Sequence, residues 1–178
     1  SPTLKIDAEW TLTPGTLRAT IIPGLDWHCL TPCAPARIND VSGLGYVEHL
    51  TLTVPPWDLP IRTLRWGRFT CPSHSLVWID WRGNPNRQFV FLDGARTTAA
   101  TLDDSALHLA HGATLTMDRS LLLRDGPLGS TVLSKIPRLK NTRLLRIHET
   151  KWRSRALLTQ PRSPAVEGWA IHEKVDWP

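Results

Sequence analysis

The sequence Gly43-Leu-Gly-Tyr-Val-Glu-His49, followed by Leu64-Arg-Trp-Gly-Arg-Phe69 and Val77-Trp-Ile-Asp-Trp81, decides the fold class of this chain. These segments predict consecutive β-strands. Adjacent residues of a strand point to opposite faces, so Glu48 and His49 are predicted to lie on different sides of the sheet. Counting in twos places Glu48 with Tyr46 on the apolar, core-facing side.

The remaining sequence continues as short strands separated by turn signals such as Pro23-Gly24 and Arg82-Gly-Asn-Pro-Asn86. This spacing predicts an all-β fold of about ten strands with little helix, either a single antiparallel barrel or a strongly curved sandwich. We expect one domain over residues 1–178, since a chain of 178 residues with 41% hydrophobic content can build one core.

The positions of prolines and basic residues predict where the strand pattern becomes irregular. Pro55-Pro-Trp-Asp-Leu-Pro60 is expected to be a rigid crossing segment, since proline lacks a ladder donor. The strand at 27–33 is expected to be short and broken by Pro32 and Pro35. A helix or ordered loop is expected at 128–139. A basic strand region at 143–159 is expected to bend near Thr150.

The composition indicates which cellular compartment and which cofactors to expect. No run of 18 apolar residues occurs, so no transmembrane helix is expected. The first residues lack the charged and apolar regions of a secretory signal, although a removed signal stays an open alternative. Three cysteines, an odd number, fit a reducing compartment, and we therefore expect a cytoplasmic protein. Cys29 and Cys33 lack the second pair that a zinc site needs, so no metal and no other cofactor is expected.

The net charge of +5 is distributed unevenly. Between residues 135 and 162 one acidic residue, Glu149, accompanies a set of basic residues: Lys135, Arg138, Lys140, Arg143, Arg146, Lys151, Arg153, Arg155 and Arg162. This region is either a solvated strand face with a basic loop, or a surface for an anionic headgroup or a membrane. No nucleic-acid-binding motif accompanies it, so no nucleic acid is expected.

Nine tryptophans against three phenylalanines and one tyrosine are unusual for a chain of this size. Tryptophan is large and rigid, and its N–H needs a partner when it is buried. The tryptophans therefore indicate either a wide interior lined by flat rings or an ordinary barrel core. The first alternative predicts a hydrophobic small molecule as the binding partner.

On Gly43-x-Gly-Tyr-x-Glu-His49, Trp66-Gly-Arg68 and Trp78-x-x-Trp81, the chain resembles the lipocalin-like carotenoid 1,2-hydratase superfamily. That group includes AttH-type proteins, hydroxyneurosporene synthases, tocopherol cyclase and Diels–Alderase-like proteins. The chain has Leu50-Thr51 where the family has Trp-Gly after the histidine. Family members are usually longer and contain two lipocalin-like halves. The resemblance implies a lipocalin-like barrel.

The resemblance also implies acid-initiated chemistry, in which a carboxylic acid protonates an isoprenoid or polyene double bond and the cation then cyclises, isomerises or adds water. Glu48 matches the acid, His49 its orienter, and Tyr46 a further catalytic group. The candidate ligand-binding residues are Trp66, Arg68, Trp78, Trp57 and Glu173. Glu173 ends Gly168-Trp-Ala-Ile-His-Glu173, which resembles Gly43 to Glu48, and both glutamates are predicted to enter related positions of a closed sheet.

Structural alternatives remain at each position. Glu48 is either a buried acid or a core carboxylate paired with Arg68 or Arg65, and a pair with Arg68 would oppose the acid role. Tyr46 is either a substrate contact or a plain corner tyrosine. As a whole, the protein is an enzyme of the isomerase, cyclase or hydro-lyase kind, a carrier of a hydrophobic ligand, or a filled barrel without a ligand. No Gly-x-Ser-x-Gly or Gly-x-Gly-x-x-Gly motif supports a hydrolase or a dinucleotide site.

Overall fold

The computed structural model describes residues 5–12, 15–130, 135 and 143–178. Within these residues the regular structure is almost entirely β-strand, as the sequence pattern predicts. The strands are β1 (Ala8–Trp10), β2 (Leu17–Ile22), β3 (Leu25–Ile38), β4 (Val41–Leu52), β5 (Ile61–Thr70), β6 (Ser75–Gly83), β7 (Arg87–Leu92), β8 (Ala95–Thr97), β9 (Ala99–Leu102), β10 (Ala106–Leu109), β11 (Thr114–Met117), β12 (Leu121–Pro127), β13 (His148–Gln160) and β14 (Ser163–Asp176). Short 3-10 turns lie at Pro56–Asp58, Leu128–Ser130 and Arg143–Arg146.

The strands form two antiparallel sheets. In the small sheet, β3 pairs with β4 along one edge and with β2 and β1 in succession along the other. The large sheet has the order β8-β7-β6-β5-β14-β13-β11-β10-β9, with β12 also paired to β13. The large sheet curls into a nearly closed, lipocalin-like barrel, which confirms the predicted fold class.

Strand β6 explains how one sheet serves two cores. Residues 75–81 are buried without interruption, so both faces of this strand are covered. Val77, Ile79 and Trp81 pack in a first core between the two sheets. Leu76 and Trp78 pack in a second core, enclosed by the curl of the large sheet. The alternation of neighbours between the cores follows directly from the two-residue period of a strand.

Strand β3 corrects the expectation of a short, proline-broken strand at 27–33. It spans Leu25–Ile38 and includes Pro32 and Pro35. Its pairing with β4 shifts register between Cys29 and Thr31 and again between Thr31 and Ala34. Such bulges accommodate residues that cannot donate to a regular ladder, so Pro32, which lies within the second shift, interrupts the register without ending the strand. Pro35 pairs in register with Leu44.

Two further expectations concern the C-terminal half. Strand β13 runs from His148 to Gln160 in unbroken pairing with β14 through Thr150, so the predicted bend near Thr150 is wrong. The expected helix or ordered loop at 128–139 begins with the 3-10 turn Leu128–Ser130. Residues 131–134 and 136–139 lie outside the described residues.

Candidate functional site

A cavity of about 840 Å³ lies between the small sheet and the face of the large sheet formed by β13, β14, β5 and β6. We call it the main cavity. Its lining is mostly aliphatic and aromatic, and the four charged side chains in it are Glu48, Arg68, Lys151 and Glu173. The other lining residues are Ile21, Leu25, Trp27, Leu50, Leu52, Pro56, Leu59, Leu64, Trp66, Ile79, Trp81, Leu123, Ile171 and Trp177.

Glu48 lines this cavity from β4, on the face that the two-residue period predicts, but its side chain is exposed at the cavity surface, so the expectation of a buried acid or core carboxylate is corrected. Trp27 Nε1–H donates a hydrogen bond to Glu48 Oε2 at 2.5 Å, and the Tyr46 hydroxyl donates to the same oxygen at 2.8 Å. Trp27 is only 2% exposed, so its N–H depends on this carboxylate. The donors hold Glu48 as a hydrogen-bond acceptor at the cavity surface.

Tyr46 connects Glu48 to a cationic and aromatic group. Its ring packs edge-on against Trp66, with 6.0 Å between centroids. Burial raises the pKa of the Tyr46 hydroxyl, and the neighbouring Glu48 and Cys29 raise it further. Burial likewise raises the pKa of the Cys29 thiol to about 11, partly opposed by its hydrogen bond with Tyr46. Both groups are therefore protonated donors at neutral pH.

Arg68 lies beside Tyr46 on the large sheet. Its guanidinium carbon is 4.7 Å from the Tyr46 ring centroid and 5.5 Å from that of Trp66, which are cation–π distances. Burial lowers the pKa of Arg68, opposed by the field of Tyr46 and of the two cavity glutamates. None of the described carboxylates forms an ion pair with Arg68, and Arg65 instead pairs with Asp104 at 2.8 Å. The anticipated pairing of Glu48 with Arg68 or Arg65 is thus absent among the described residues.

Glu173 enters the same cavity from β14 and has different surroundings from Glu48. Register places it between Trp66 on β5 and Lys151 on β13. Lys151 Nζ lies 2.7 Å from a carboxylate oxygen of Glu173 and 2.7 Å from one of Glu149. Burial raises the pKa of Glu173, Lys151 opposes this, and the neighbouring Glu149 adds to it. Burial also acts to raise the pKa of Glu149, but Lys151 lowers it below its usual range.

The predicted site residues therefore fall into two groups. Glu48, Tyr46, Trp66, Arg68 and Glu173 come together around the main cavity or its border. Both members of the repeated Gly-to-Glu pattern reach this cavity, although they come from different sheets rather than from related positions of one sheet. The three other candidates, His49, Trp57 and Trp78, lie elsewhere.

His49 lies on the opposite face of β4 from Glu48, as the two-residue period predicts. It is exposed and pairs across the small sheet with His28. The expectation that His49 orients Glu48 directly is therefore corrected, because the two side chains lie on opposite faces of the sheet.

Trp57 and Trp78 do not line the main cavity. Trp57 is 38% exposed on the 3-10 turn Pro56–Asp58, whose neighbours Pro56 and Leu59 line the cavity instead. Trp78 pairs with Gly67, while Trp66 pairs with Ile79, so Trp78 and Trp66 face opposite sides of the sheet. A Cβ on Gly67 would overlap the Trp78 indole, so glycine allows this ring to lie against β5.

Sequence reasoning missed several residues of the site. Trp27 donates to Glu48, which is 21 residues away in the chain. Lys151 binds Glu173, which is also distant in the sequence. Only strand pairing brings them together. Leu50, at the departure from the family pattern, lines the main cavity. The only sequence pattern that could have indicated Trp27 is the two-residue alternation of β3, which places it on the same buried face as Leu25 and Cys29.

A buried Ser154–His172 pair was also missed. It lies on the opposite face of the large sheet from Glu173, with Ser154 Oγ 2.8 Å from His172 Nε2. Trp152 stacks on the imidazole at 5.2 Å. Burial lowers the pKa of His172 to about 4, so the ring is neutral near pH 7.

The basic region 135–162 does not form one uniform surface. Lys151 is engaged with its two glutamates, while Arg153 and Arg155 lie over the Trp169 ring at 4.7 and 5.9 Å. Arg138 and Lys140 lie outside the described residues. A membrane surface in this region stays a prediction. In the described part of the chain, no helix has the length and apolarity to cross a membrane.

Comparisons with known proteins agree with the architecture. No family model matches the chain, and no curated protein does either. Among solved structures, the crystal structure of CghA with Sch210972 matches with a TM-score of 0.61 and 10% identity, and another crystal structure of CghA matches with a TM-score of 0.62 and 10% identity. Each match covers 97% of this chain but 62% of CghA, so the chain spans less than two thirds of that protein. At this identity the likeness shows the lipocalin-like fold.

Proposed function

We propose that the protein binds an apolar isoprenoid or polyene in the main cavity and acts on it by proton transfer from a carboxylic acid. The reaction class is isomerisation, cyclisation or hydration. Glu173 is the proton donor in this proposal, and Glu48 is the carboxylate that stabilises or quenches the cation.

The main cavity supports a ligand of this kind. Its volume of about 840 Å³ lies within the range of about 300–1,000 Å³ that small-molecule sites occupy. Aromatic rings of Trp27, Trp66, Trp81 and Trp177 contribute to the lining. The faces of such rings attract positive charge, so they can stabilise a carbocation that forms near them. CghA, which has this fold, has been crystallised with Sch210972.

The observation that carries the proposal is the pair of unlike carboxyl groups in one apolar cavity. Glu48 receives two hydrogen bonds at one oxygen, as expected for a carboxylate that accepts. Glu173 has a side chain that is 15% exposed and a raised pKa, as expected for a carboxyl that keeps its proton longer. Two carboxyl groups in contrasting environments are how enzymes assign acid and base roles.

In the proposed reaction a proton moves from Glu173 to the substrate, and a proton is later lost to Glu48. The O–H bond of Glu173 breaks while a C–H bond forms at one carbon of a substrate double bond, and the positive charge develops at the other carbon. Attack by a second double bond gives a ring, whereas attack by water, with loss of one proton of that water to Glu48, gives an alcohol. Loss of a proton to Glu48 completes an isomerisation or cyclisation. Lys151 then stabilises the Glu173 carboxylate until it is protonated again.

A carrier without chemistry is the second candidate, and the engagement of both carboxyls by protein donors favours it. Glu48 is held by Trp27 and Tyr46, and Glu173 is held by Lys151. In a carrier these contacts keep the polar groups satisfied around an apolar ligand. The two candidates share the cavity and differ only in proton transfer.

Deuterium incorporation separates the two candidates. Purified protein is incubated in D2O with farnesol, geranylgeraniol or lycopene, and the recovered compounds are analysed by mass spectrometry. Protonation of a double bond introduces deuterium at carbon, so an enzyme yields labelled product or labelled starting material. We expect Glu173→Gln to abolish labelling, while Asp176→Asn, an exposed acid on the same strand, leaves it unchanged.

Three other outcomes would change the proposed function. Labelling that is lost in Glu48→Gln and kept in Glu173→Gln would return the acid role to Glu48. Binding of the compounds, monitored by tryptophan fluorescence, without any labelling would identify a carrier. Absence of both binding and labelling across the three compounds would argue against an isoprenoid or polyene as the ligand of the main cavity.

A further inference from the structure

Arg68 lies at the border between two cavities. It lines the main cavity together with Ile171, and the same two residues line a second cavity of about 420 Å³. Tyr46 also lines the second cavity, whose other lining residues are Trp10, Ala36, Ile38, Leu44, Gly45, Thr70 and Trp169. A molecule that extends from one cavity into the other therefore passes the guanidinium.

The other cation of the main cavity is already neutralised. Lys151 Nζ lies 2.7 Å from a carboxylate oxygen of Glu149, which balances its charge, and 2.7 Å from an oxygen of Glu173, the proton donor of the proposed function. Among the described residues, Arg68 has no such partner, and its contacts are the rings of Tyr46 and Trp66. Aromatic rings interact with the face of a guanidinium, while its N–H donors lie in the plane and stay available at the edge.

The nearby acids do not occupy this edge. Glu48 is bound by Trp27 and Tyr46, and Glu173 is bound by Lys151. Both act on Arg68 through their fields but at more than ion-pairing distance. Arg68 is half-buried, and a partly desolvated cation without a close anion is unfavourable, so the site is suited to an anion supplied by a ligand. The planar fork of arginine matches a carboxylate in particular.

We propose that the substrate is an apolar chain with a carboxylate, whose oxygens bind the edge of Arg68 while the chain occupies the main cavity. This inference rests on the proposed function, and it specifies the substrate class. A neutral isoprenoid or hydrocarbon would leave the guanidinium unpaired. An acid of the same length would pair with it at the junction of the two cavities.

The test compares one polyene in a charged and a neutral form. cis-Parinaric acid and its methyl ester are titrated into the protein at pH 7, and binding is measured from the polyene fluorescence. We expect the acid to bind about tenfold more tightly than the ester, since a charge-assisted hydrogen bond contributes on this scale. Arg68→Gln should reduce this preference to about one, and Arg68→Lys should restore part of it.

Arg62→Gln is the matched control, because Arg62 is an exposed arginine on the same strand. It should keep the full preference. Equal binding of acid and ester by the unchanged protein overturns this inference but leaves a cavity function intact. A preference that persists in Arg68→Gln also overturns it, provided that the thermal unfolding and near-ultraviolet circular dichroism of the variant match the unchanged protein. Failure of both probes to bind overturns the inference together with the proposed cavity.

Discussion

Replacing Glu48 with alanine should destabilise the protein strongly for a residue at a cavity surface. The change removes the only oxygen that accepts from Trp27 Nε1–H among the described contacts, and Trp27 is 2% exposed. A buried donor without a partner costs about 1–3 kcal/mol, and a hydrogen bond to a charged group contributes about 1.5–3 kcal/mol. These figures describe overlapping losses, and Tyr46 is only partly buried, so we expect a total of about 2–4 kcal/mol.

Glu48→Gln is the informative partner of this variant. Its amide oxygen can still accept from Trp27, so the expected loss is about 1 kcal/mol. Both variants are measured by urea unfolding, followed by tryptophan fluorescence and by far-ultraviolet circular dichroism, at pH 7. If alanine and glutamine cost the same, within about 0.5 kcal/mol, then water replaces the carboxylate at Trp27 and the hydrogen-bond argument is refuted.

Further predictions concern other parts of the large sheet. The free energy of unfolding should fall by about 3 kcal/mol between pH 6.5 and pH 4. The reason is that the pKa of His172 is lowered from 6.5 to about 4, so the unfolded chain takes up this proton more readily than the folded protein. Urea titrations across this range should show the decrease, and His172→Gln should remove most of it. Gly67→Ala should cost about 1–3 kcal/mol by pushing Trp78 from β5, and a variant with an unchanged melting temperature would contradict that packing. Lys151→Met should cost about 1–3 kcal/mol at pH 7, less than a fully buried pair because Lys151 is 33% exposed. The cost should become smaller only below the usual pKa range of glutamate, where Glu149, whose pKa is lowered beside Lys151, takes up a proton; urea unfolding at pH 7 and pH 3 measures both values.

The limits of sequence reasoning are visible at particular residues. The two-residue period correctly separated Glu48 from His49 and grouped Leu64, Trp66 and Arg68 on one face, since all of these lie in regular stretches of strand. The same reasoning underestimated the length of β3, because Pro32 lies at a register shift and Pro35 is accommodated within the paired strand. It also left the hydrogen-bond partners of Glu48 and Glu173 unassigned. These partners depend on which strands pair with each other, and the alternation within a single strand does not contain that information.

The sequence by itself determined which side chains share a face, because alternation is a local property of an extended backbone. It thereby predicted an all-β fold and the inward direction of Glu48 and Tyr46. Only the tertiary structure decided that Lys151 meets Glu173, that Trp78 turns away from Trp66, and that Arg68 lies between two cavities. Each of these depends on which strands become neighbours and in which register, and that choice follows from packing the two cores of the whole sheet.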